Sequence, residues 1–127
     1  MRLFSNSGSA SMGYDIPAAI GAAFASPGQR VICLAGDGSA QLNIQELQTI
    51  AHYQLPIKVV VLANDGYLSI RSSQQNFFKR TSGESPSSGV TLPDYVRLGA
   101  AYGLAAHRIA GPAFAQALKT ALAEPGP

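Results

Sequence analysis

Apolar residues first recur at Ile16, Ile20, Ala23 and Phe24, the spacing of one helix face. Asp15 stands ready as the N-cap of that helix and Pro17 suits its first turn, while Pro27-Gly28 ends it. The next run, Arg30-Val31-Ile32-Cys33-Leu34-Ala35, is apolar after its first residue. It is too short for a helix and rich in β-branched residues, so it predicts a buried parallel strand over Val31–Ala35. Gly36-Asp37-Gly38-Ser39 breaks the run. Ile44, Leu47, Ile50 and Ala51 then return to helical spacing, with Asn43 and Glu46 three residues apart in the pattern of a capping box. Leu55-Pro56 stops this second helix. Ile57-Lys58-Val59-Val60-Val61-Leu62-Ala63 is the strongest strand signal, and it runs into the turn tetrad Asn64-Asp65-Gly66-Tyr67.

The stretch from Ser69 to Thr91 is polar and rich in Ser, Gln and Gly, a long loop with room for a short helix around Ile70 to Phe78. Asp94 to Tyr102 predicts a further helix ended by Gly103, Ala106 to Ala110 a weaker strand, and Pro112 to Ala123 an Ala-rich amphipathic helix. Strands alternating with helices imply an α/β fold: a three-layer αβα arrangement in which an open parallel sheet carries helices on both faces. Two convincing strands are few for such a sheet, so the pattern predicts an incomplete domain.

Composition narrows the classes. With 127 residues, 46% hydrophobic and 13% charged, the chain fits one globular domain or part of one. No stretch approaches the ~20 apolar residues of a membrane span. Met1 to Ser7 has no apolar h-region, so no signal peptide is expected and cytoplasmic is the default location. Nine Lys and Arg against seven Asp and Glu give +2, without the clustered basic face a nucleic-acid binder needs. The nearest candidate, Arg71 to Arg80 with Phe77, Phe78 and Lys79, reads better as a solvated lid. The single cysteine, Cys33, excludes an internal disulfide and a cysteine-based metal cluster, and its apolar setting predicts a buried, inert thiol.

Candidate chemistry lies at the two strand ends, because ligands of open parallel sheets bind beyond the carboxyl ends of the strands. If the strands are neighbours, Asp37 and Asn64 sit side by side. A carboxylate and an amide carbonyl are hard oxygen donors suited to Mg²⁺ or Ca²⁺, and Mg²⁺ completes its shell with phosphate oxygens and water. The small residues beside Asp37 let backbone N–H groups approach an anion. Asp-Gly and Asn-Asp-Gly are also everyday turn sequences, so spacing alone leaves both readings standing. Other phosphate motifs fit worse. Gly8 to Gly13 has Walker-like spacing but is followed by Tyr14-Asp15, and Gln41 stands where a G-x-G-x-x-G run from Gly36 needs its third glycine.

Two separated motifs together carry a resemblance. Gly36-Asp37-Gly38-Ser39 is followed, twenty-seven positions from Asp37, by Asn64 after the apolar run, and this resembles the thiamine diphosphate signature. Upstream, Gly8-Ser9-Ala10-Ser11-Met12-Gly13-Tyr14 with Pro17 to Ala22 resembles the cofactor-holding segment of the acetolactate synthase group. The resemblance covers about residues 5–124. It implies a cofactor domain of a thiamine diphosphate- and Mg²⁺-dependent 2-oxo acid decarboxylase or carboligase. By the same resemblance Asp37, Asn64 and the Gly66 carbonyl bind the metal. Gly38 and Ser39 cradle the diphosphate, Gly36 just before them counts among the cofactor-binding residues, and Tyr67 and Leu68 follow the metal turn. Met12 is the apolar residue under the cofactor that forces its rings into a V, Ala10 offers its carbonyl to the aminopyrimidine, and Ser11 lies between them. A non-catalytic phosphate- or nucleotide-binding α/β module is the alternative reading.

The resemblance also implies what is missing. The family's catalytic glutamate comes from a different domain, usually of a partner subunit. Glu46 and Glu84 do not sit where the family places it, so no catalytic residue is expected in this chain. Residues 1–127 match only the C-terminal domain, cut at both ends, and alone should not turn over substrate. A 2-oxo acid substrate and a homodimer or homotetramer are implied for the full-length protein, which leaves FAD open. Arg71 reads either as a carboxylate or phosphate binder or, the favoured reading, as a solvated lid cation. His52 and His107 read as structural.

Overall fold

A computed structural model of the chain describes residues 2–127. Met1, the first residue of the segment read above as leaderless, lies outside the described residues. The elements run α1 (Asp15–Ala25), β1 (Val31–Gly36), α2 (Asp37–Leu42), a 3₁₀ turn (Ile44–Glu46), α3 (Leu47–Tyr53), β2 (Ile57–Leu62) and α4 (Leu68–Ser73). α4 continues into a π-helical turn (Gln74–Phe78). A 3₁₀ turn (Pro86–Ser88), α5 (Tyr95–Ala101) and α6 (Phe114–Ala123) follow. The two strands pair in parallel, from Val31 opposite Ile57 to Gly36 opposite Leu62. Parallel neighbours need a crossover connection, supplied here by α2, the 3₁₀ turn and α3.

Side chains alternate across a strand, so Val31, Cys33 and Ala35 share a face with Ile57, Val59 and Val61. That face is covered. Ile16, Ala19 and Ala23 of α1 pack with Cys33, Ala35, Ile50 and Ile57 into one buried cluster. Alanines at the contact let α1 lie close to the sheet. On the opposite face Ile32 is 51% exposed, Leu34 65% and Leu62 55%. The end of the chain reaches this side: Lys58 Nζ donates to the Pro127 carbonyl at 3.4 Å, and Arg30 Nη1 to the Leu122 carbonyl at 2.8 Å. Among the described residues no helix is long and apolar enough to cross a membrane.

Several local expectations are corrected. Asp15 is the first residue of α1 and not its cap; its Oδ1 accepts from the Ile16 N–H. Phe24 is exposed and stacks edge-on against Tyr53, 5.4 Å between ring centres. The Asn43–Glu46 capping box does not form, because both side chains are engaged elsewhere: Asn43 Nδ2 donates to the Gly13 carbonyl, and Glu46 Oε2 accepts from Thr49 Oγ1. Gly36 belongs to β1 and α2 starts at once with Asp37, so no loop separates them. β2 stops at Leu62, one residue short of the predicted end. Ala106 to Ala110 is not a strand. A cavity of about 810 Å³ is lined by every residue of β2 and by Leu104–Ile109, which leaves that segment no neighbouring strand to pair with.

Cys33 is buried as expected, and burial, then the Asp15 charge, pushes its thiol up to about 11. Only a thiolate is readily alkylated. Iodoacetamide at pH 8 should therefore leave Cys33 unmodified in the folded chain and modify it in denaturant, as mass spectrometry would show. Rapid labelling without denaturant would contradict the burial.

Candidate functional site

The register brings the ends of β1 and β2 together and so places Asp37 beside the turn that begins at Asn64. Asp37 is 2% exposed. Its Oδ1 accepts from the Gly38 N–H at 2.8 Å, and its Oδ2 accepts from the N–H groups of Asn64 at 2.9 Å and Gly66 at 3.1 Å. Charge-assisted bonds from three amides offset the cost of burying a carboxylate. Tyr95 in α5 donates its hydroxyl to the Asp37 carbonyl at 2.5 Å. Burial first, then the charges of Asp37, Tyr67 and Asp15, pushes that hydroxyl up to about 12, so it stays a donor.

The near end of the Asn64 side-chain amide lies 3.2 Å from Asp37 Oδ1 and 2.7 Å from the Gly66 carbonyl oxygen. Turned one way it presents nitrogen and donates to both. Turned the other way it presents oxygen, and three hard oxygens face one another. Three oxygens that close repel unless a cation lies between them. Mg²⁺ ligands at 2.0–2.1 Å in an octahedron stand about 2.9 Å from their neighbours, and the two separations bracket that value. The donor set therefore fits a small divalent cation. It contains one carboxylate only; among the described residues no group of three or more His, Cys, Asp or Glu could hold a metal.

The turn itself is in an unusual backbone conformation, with φ +61° at Asp65 and +127° at Gly66. Gly66 is required twice over: its φ disfavours side chains, and a Cβ there would run into the Glu84 carbonyl. That carbonyl accepts from the Tyr67 N–H at 2.8 Å. Glu84 is 2% exposed and pairs with Arg71 Nε at 2.5 Å. Its Oε1 accepts from the Ser85 and Ser88 hydroxyls. Arg71 also reaches the Asp65 carbonyl with Nη2 at 2.9 Å and the Asn64 carbonyl with Nη1 at 3.5 Å. The favoured expectation of a solvated Arg71 is thus corrected: the guanidinium is held on a buried carboxylate.

The upstream segment reaches the same place through Gly13, whose φ is +79°. Its N–H donates to Ser39 Oγ at 2.9 Å, and its carbonyl accepts from Asn43 Nδ2 at 2.6 Å. This ties the loop of Ala10, Ser11 and Met12 to α2. Ala10 has φ +49°, and its N–H donates to the Asn6 carbonyl at 2.8 Å. A Cβ on Gly38 would meet the Tyr67 ring and come 3.4 Å from Met12 Cε, so Met12, Gly38 and Tyr67 are brought together. Met12 is 42% exposed, Ala10 and Ser11 are exposed, and Gly36 is half-buried. Leu68, the first residue of α4, projects into solvent at 52% exposure. His52 stacks on Tyr53, and His107 pairs with Glu124 at 2.9 Å; both are exposed. Sequence reasoning missed Tyr95, Glu84 and the joint role of Asn43 and Gly13. Tyr95 and Glu84 have no periodicity or motif that would mark them, and the capping-box spacing at Asn43 points to a local bond and not to Gly13.

The family described as thiamine pyrophosphate enzyme, C-terminal TPP binding domain, matches residues 1–127. The chain belongs to that family. The acetolactate synthase large subunit of Pyropia yezoensis is 43% identical over 125 residues, 97% of this chain and 21% of the relative. The acetolactate synthase isozyme 2 large subunit of Escherichia coli (strain K12) is 40% identical over 99 residues, 78% of this chain and 18% of the relative. A solved structure, the Rhodococcus jostii RHA1 thiamine diphosphate-dependent 4-hydroxybenzoylformate decarboxylase, superposes with a TM-score of 0.74 at 37% identity. That superposition covers 91% of this chain and 22% of the neighbour. The chain thus spans about a fifth of the length of these relatives.

The Glu84 carboxyl is held below the ordinary 4.5, first by the Arg71 hydrogen bond and further by the Ser85 and Ser88 hydroxyls, against the upward push of burial. A carboxylate depressed in the folded state contributes stability above its unfolded value and loses it as pH falls through the folded one. Thermal melts at steps below about pH 4.5 should show the folded chain weakening, and Glu84→Gln should make that fall shallower. An equally steep fall in the variant would mean that other carboxylates account for it. Asp94, held low by the Arg97 and Val96 N–H groups it caps, contributes in the same direction.

Proposed function

We propose that this domain holds the diphosphate end of thiamine diphosphate through Mg²⁺ in a 2-oxo acid decarboxylase or carboligase of acetolactate synthase type. The observation that carries the reading is the convergence of Asp37 Oδ1, the Asn64 amide and the Gly66 carbonyl, 3.2 and 2.7 Å apart, at the end of a parallel strand pair. Asp37, Asn64 and Gly66 are the metal ligands. Asn64 turns its amide so that oxygen replaces nitrogen at the shared point. Gly38 and Ser39, with Gly36 before them, form the cradle of the diphosphate, and the missing side chain at 38 makes room for the Tyr67 ring beside it. When bound, the cofactor supplies a nucleophilic carbon and an electron sink for the carbon–carbon chemistry.

This chain's own residues bind and orient. Met12 forms an apolar floor beside Gly38 and Tyr67, and Ala10, in its left-handed conformation, is the residue whose carbonyl would accept from the aminopyrimidine. Ser11 joins these two positions, and Tyr67 and Leu68 border the metal turn where α4 begins. The proton-handling glutamate belongs to a second domain, in keeping with a dimeric or tetrameric enzyme, and any FAD would bind outside residues 1–127. The apolar side chains left on the second face of the sheet, Ile32, Leu34 and Leu62, support the view that this is one cut-down domain of a longer polypeptide. Pyruvate is the default donor by family resemblance.

Asn64→Ala is the cleanest test, since its amide touches only the other two ligand oxygens whereas Asp37 also holds three backbone N–H groups. Calorimetric titration of the intact protein with thiamine diphosphate should show binding that requires Mg²⁺. Asn64→Ala should weaken the Mg²⁺ dependence by roughly tenfold or more while leaving the melting temperature little changed. Binding that ignores Mg²⁺, or an Asn64→Ala protein that binds as the parent does, would overturn the reading.

A further inference from the structure

Every polar backbone group that the structure engages in the turn from Asn64 to Tyr67 has its partner on one of three anchors. Asp37 takes the N–H groups of Asn64 and Gly66. Arg71 takes the carbonyls of Asn64 and Asp65. The Glu84 carbonyl takes the Tyr67 N–H. The Gly66 carbonyl is the exception, facing Asn64 and free to serve as a ligand. Two of the three anchors are joined to each other, because Arg71 Nε lies on the buried carboxylate of Glu84. Glu84 is in turn locked by Ser85 and Ser88, whose hydroxyls and backbone form a small knot around it. From this we propose that Arg71 and Glu84 are positioning residues: their part-buried ion pair clamps the Asn64–Tyr67 turn and presets the Asn64 side chain and Gly66 carbonyl for the metal.

The physical case rests on the conformation being held. Successive positive φ values at Asp65 and Gly66 are sparsely populated and persist only where the surroundings over-determine them. Asp37 fixes the Asn64 and Gly66 donors of the turn and leaves its carbonyls free to swing. The Arg71 fork fixes those carbonyls, and a planar guanidinium can reach two of them and Glu84 together where an ammonium cannot. Losing the fork lets the turn relax, and metal binding must then reorder it, which lowers affinity. The polar stretch from Ser69 to Thr91 thus carries a clamp for the turn.

The inference rests on the metal reading above, so the experiment separates the two. Mn²⁺ stands in for Mg²⁺, and its free fraction is read by electron paramagnetic resonance in the intact protein with saturating thiamine diphosphate. Arg71→Ala is expected to raise the Mn²⁺ dissociation constant about 10- to 100-fold, the usual effect of losing a group that orients a ligand. Arg71→Lys, which keeps the charge on Glu84 but not the fork, should fall between. Far-UV circular dichroism and melting temperature serve as the folding control. If Arg71→Ala does not fold, Arg71→Lys and Glu84→Gln, which retain charge or shape, take its place. Folded Arg71 and Glu84 variants that bind Mn²⁺ as tightly as the parent would overturn the clamp and leave the metal reading intact, provided Asn64→Ala still loses binding. A parent protein that binds no Mn²⁺, or an Asn64→Ala protein that binds it fully, overturns the metal reading and the clamp with it.

Discussion

The structure depends on one buried carboxylate. Asp37 stands where β1 becomes α2 without a loop, and it takes three backbone N–H groups: one from its own helix and two from the turn after β2. An isolated charge in this setting would be costly, and removing any of the three donors would leave that cost uncompensated. The carboxylate therefore cross-links the two strand ends beyond the last rung of the ladder. Tyr95 adds α5 to the junction through the Asp37 carbonyl, and Gly13 adds the upstream loop through Ser39 and Asn43. Four separate stretches of chain are thus fixed relative to one side chain.

Fixing those stretches decides where the exceptions fall. Close approach is what makes Gly38 and Gly66 obligatory, one beneath the Tyr67 ring and the other against the Glu84 carbonyl. It also leaves a few polar groups unspent by the fold, notably the Asn64 amide and the Gly66 carbonyl. These can satisfy each other, as they do when nitrogen faces in, or turn to something else. A pair that bonds to itself with nitrogen facing in, and needs a cation only when oxygen faces in, suits a site that must exist before its ligand arrives and must change little when it does.

Much of this was legible in the chain. The apolar run Ile57–Ala63 and the shorter run before Gly36 were both strands, and parallel pairing alone set Asp37 beside Asn64. What escaped did so for identifiable reasons. The Arg71–Glu84 pair spans thirteen positions of polar sequence without periodicity, so nothing local links the two. Asn43 and Glu46 had the capping-box spacing, but tertiary partners for both side chains outcompeted the local bonds. Ala106 to Ala110 had a weak strand signal and no ladder, because pairing requires a neighbour and the edge of β2 opens on a cavity instead. Local pattern predicts what a segment can do, whereas pairing is decided by what stands next to it.

The distribution of burial divides the proposed site in two. At the strand ends Asp37, Gly38, Gly66 and Glu84 are buried and cross-bonded, so this half is rigid before any ligand binds. At the other half Ala10, Ser11 and Met12 are exposed, tied to α2 through Gly13 and to the Asn6 carbonyl through the Ala10 N–H. A preformed half contributes affinity without an ordering cost, while an exposed half contributes once something covers it. On the cofactor reading, the diphosphate and its cation would meet the rigid half and the reactive rings the open one. That assignment puts binding strength in this domain and leaves control of the chemistry to whatever packs over Met12.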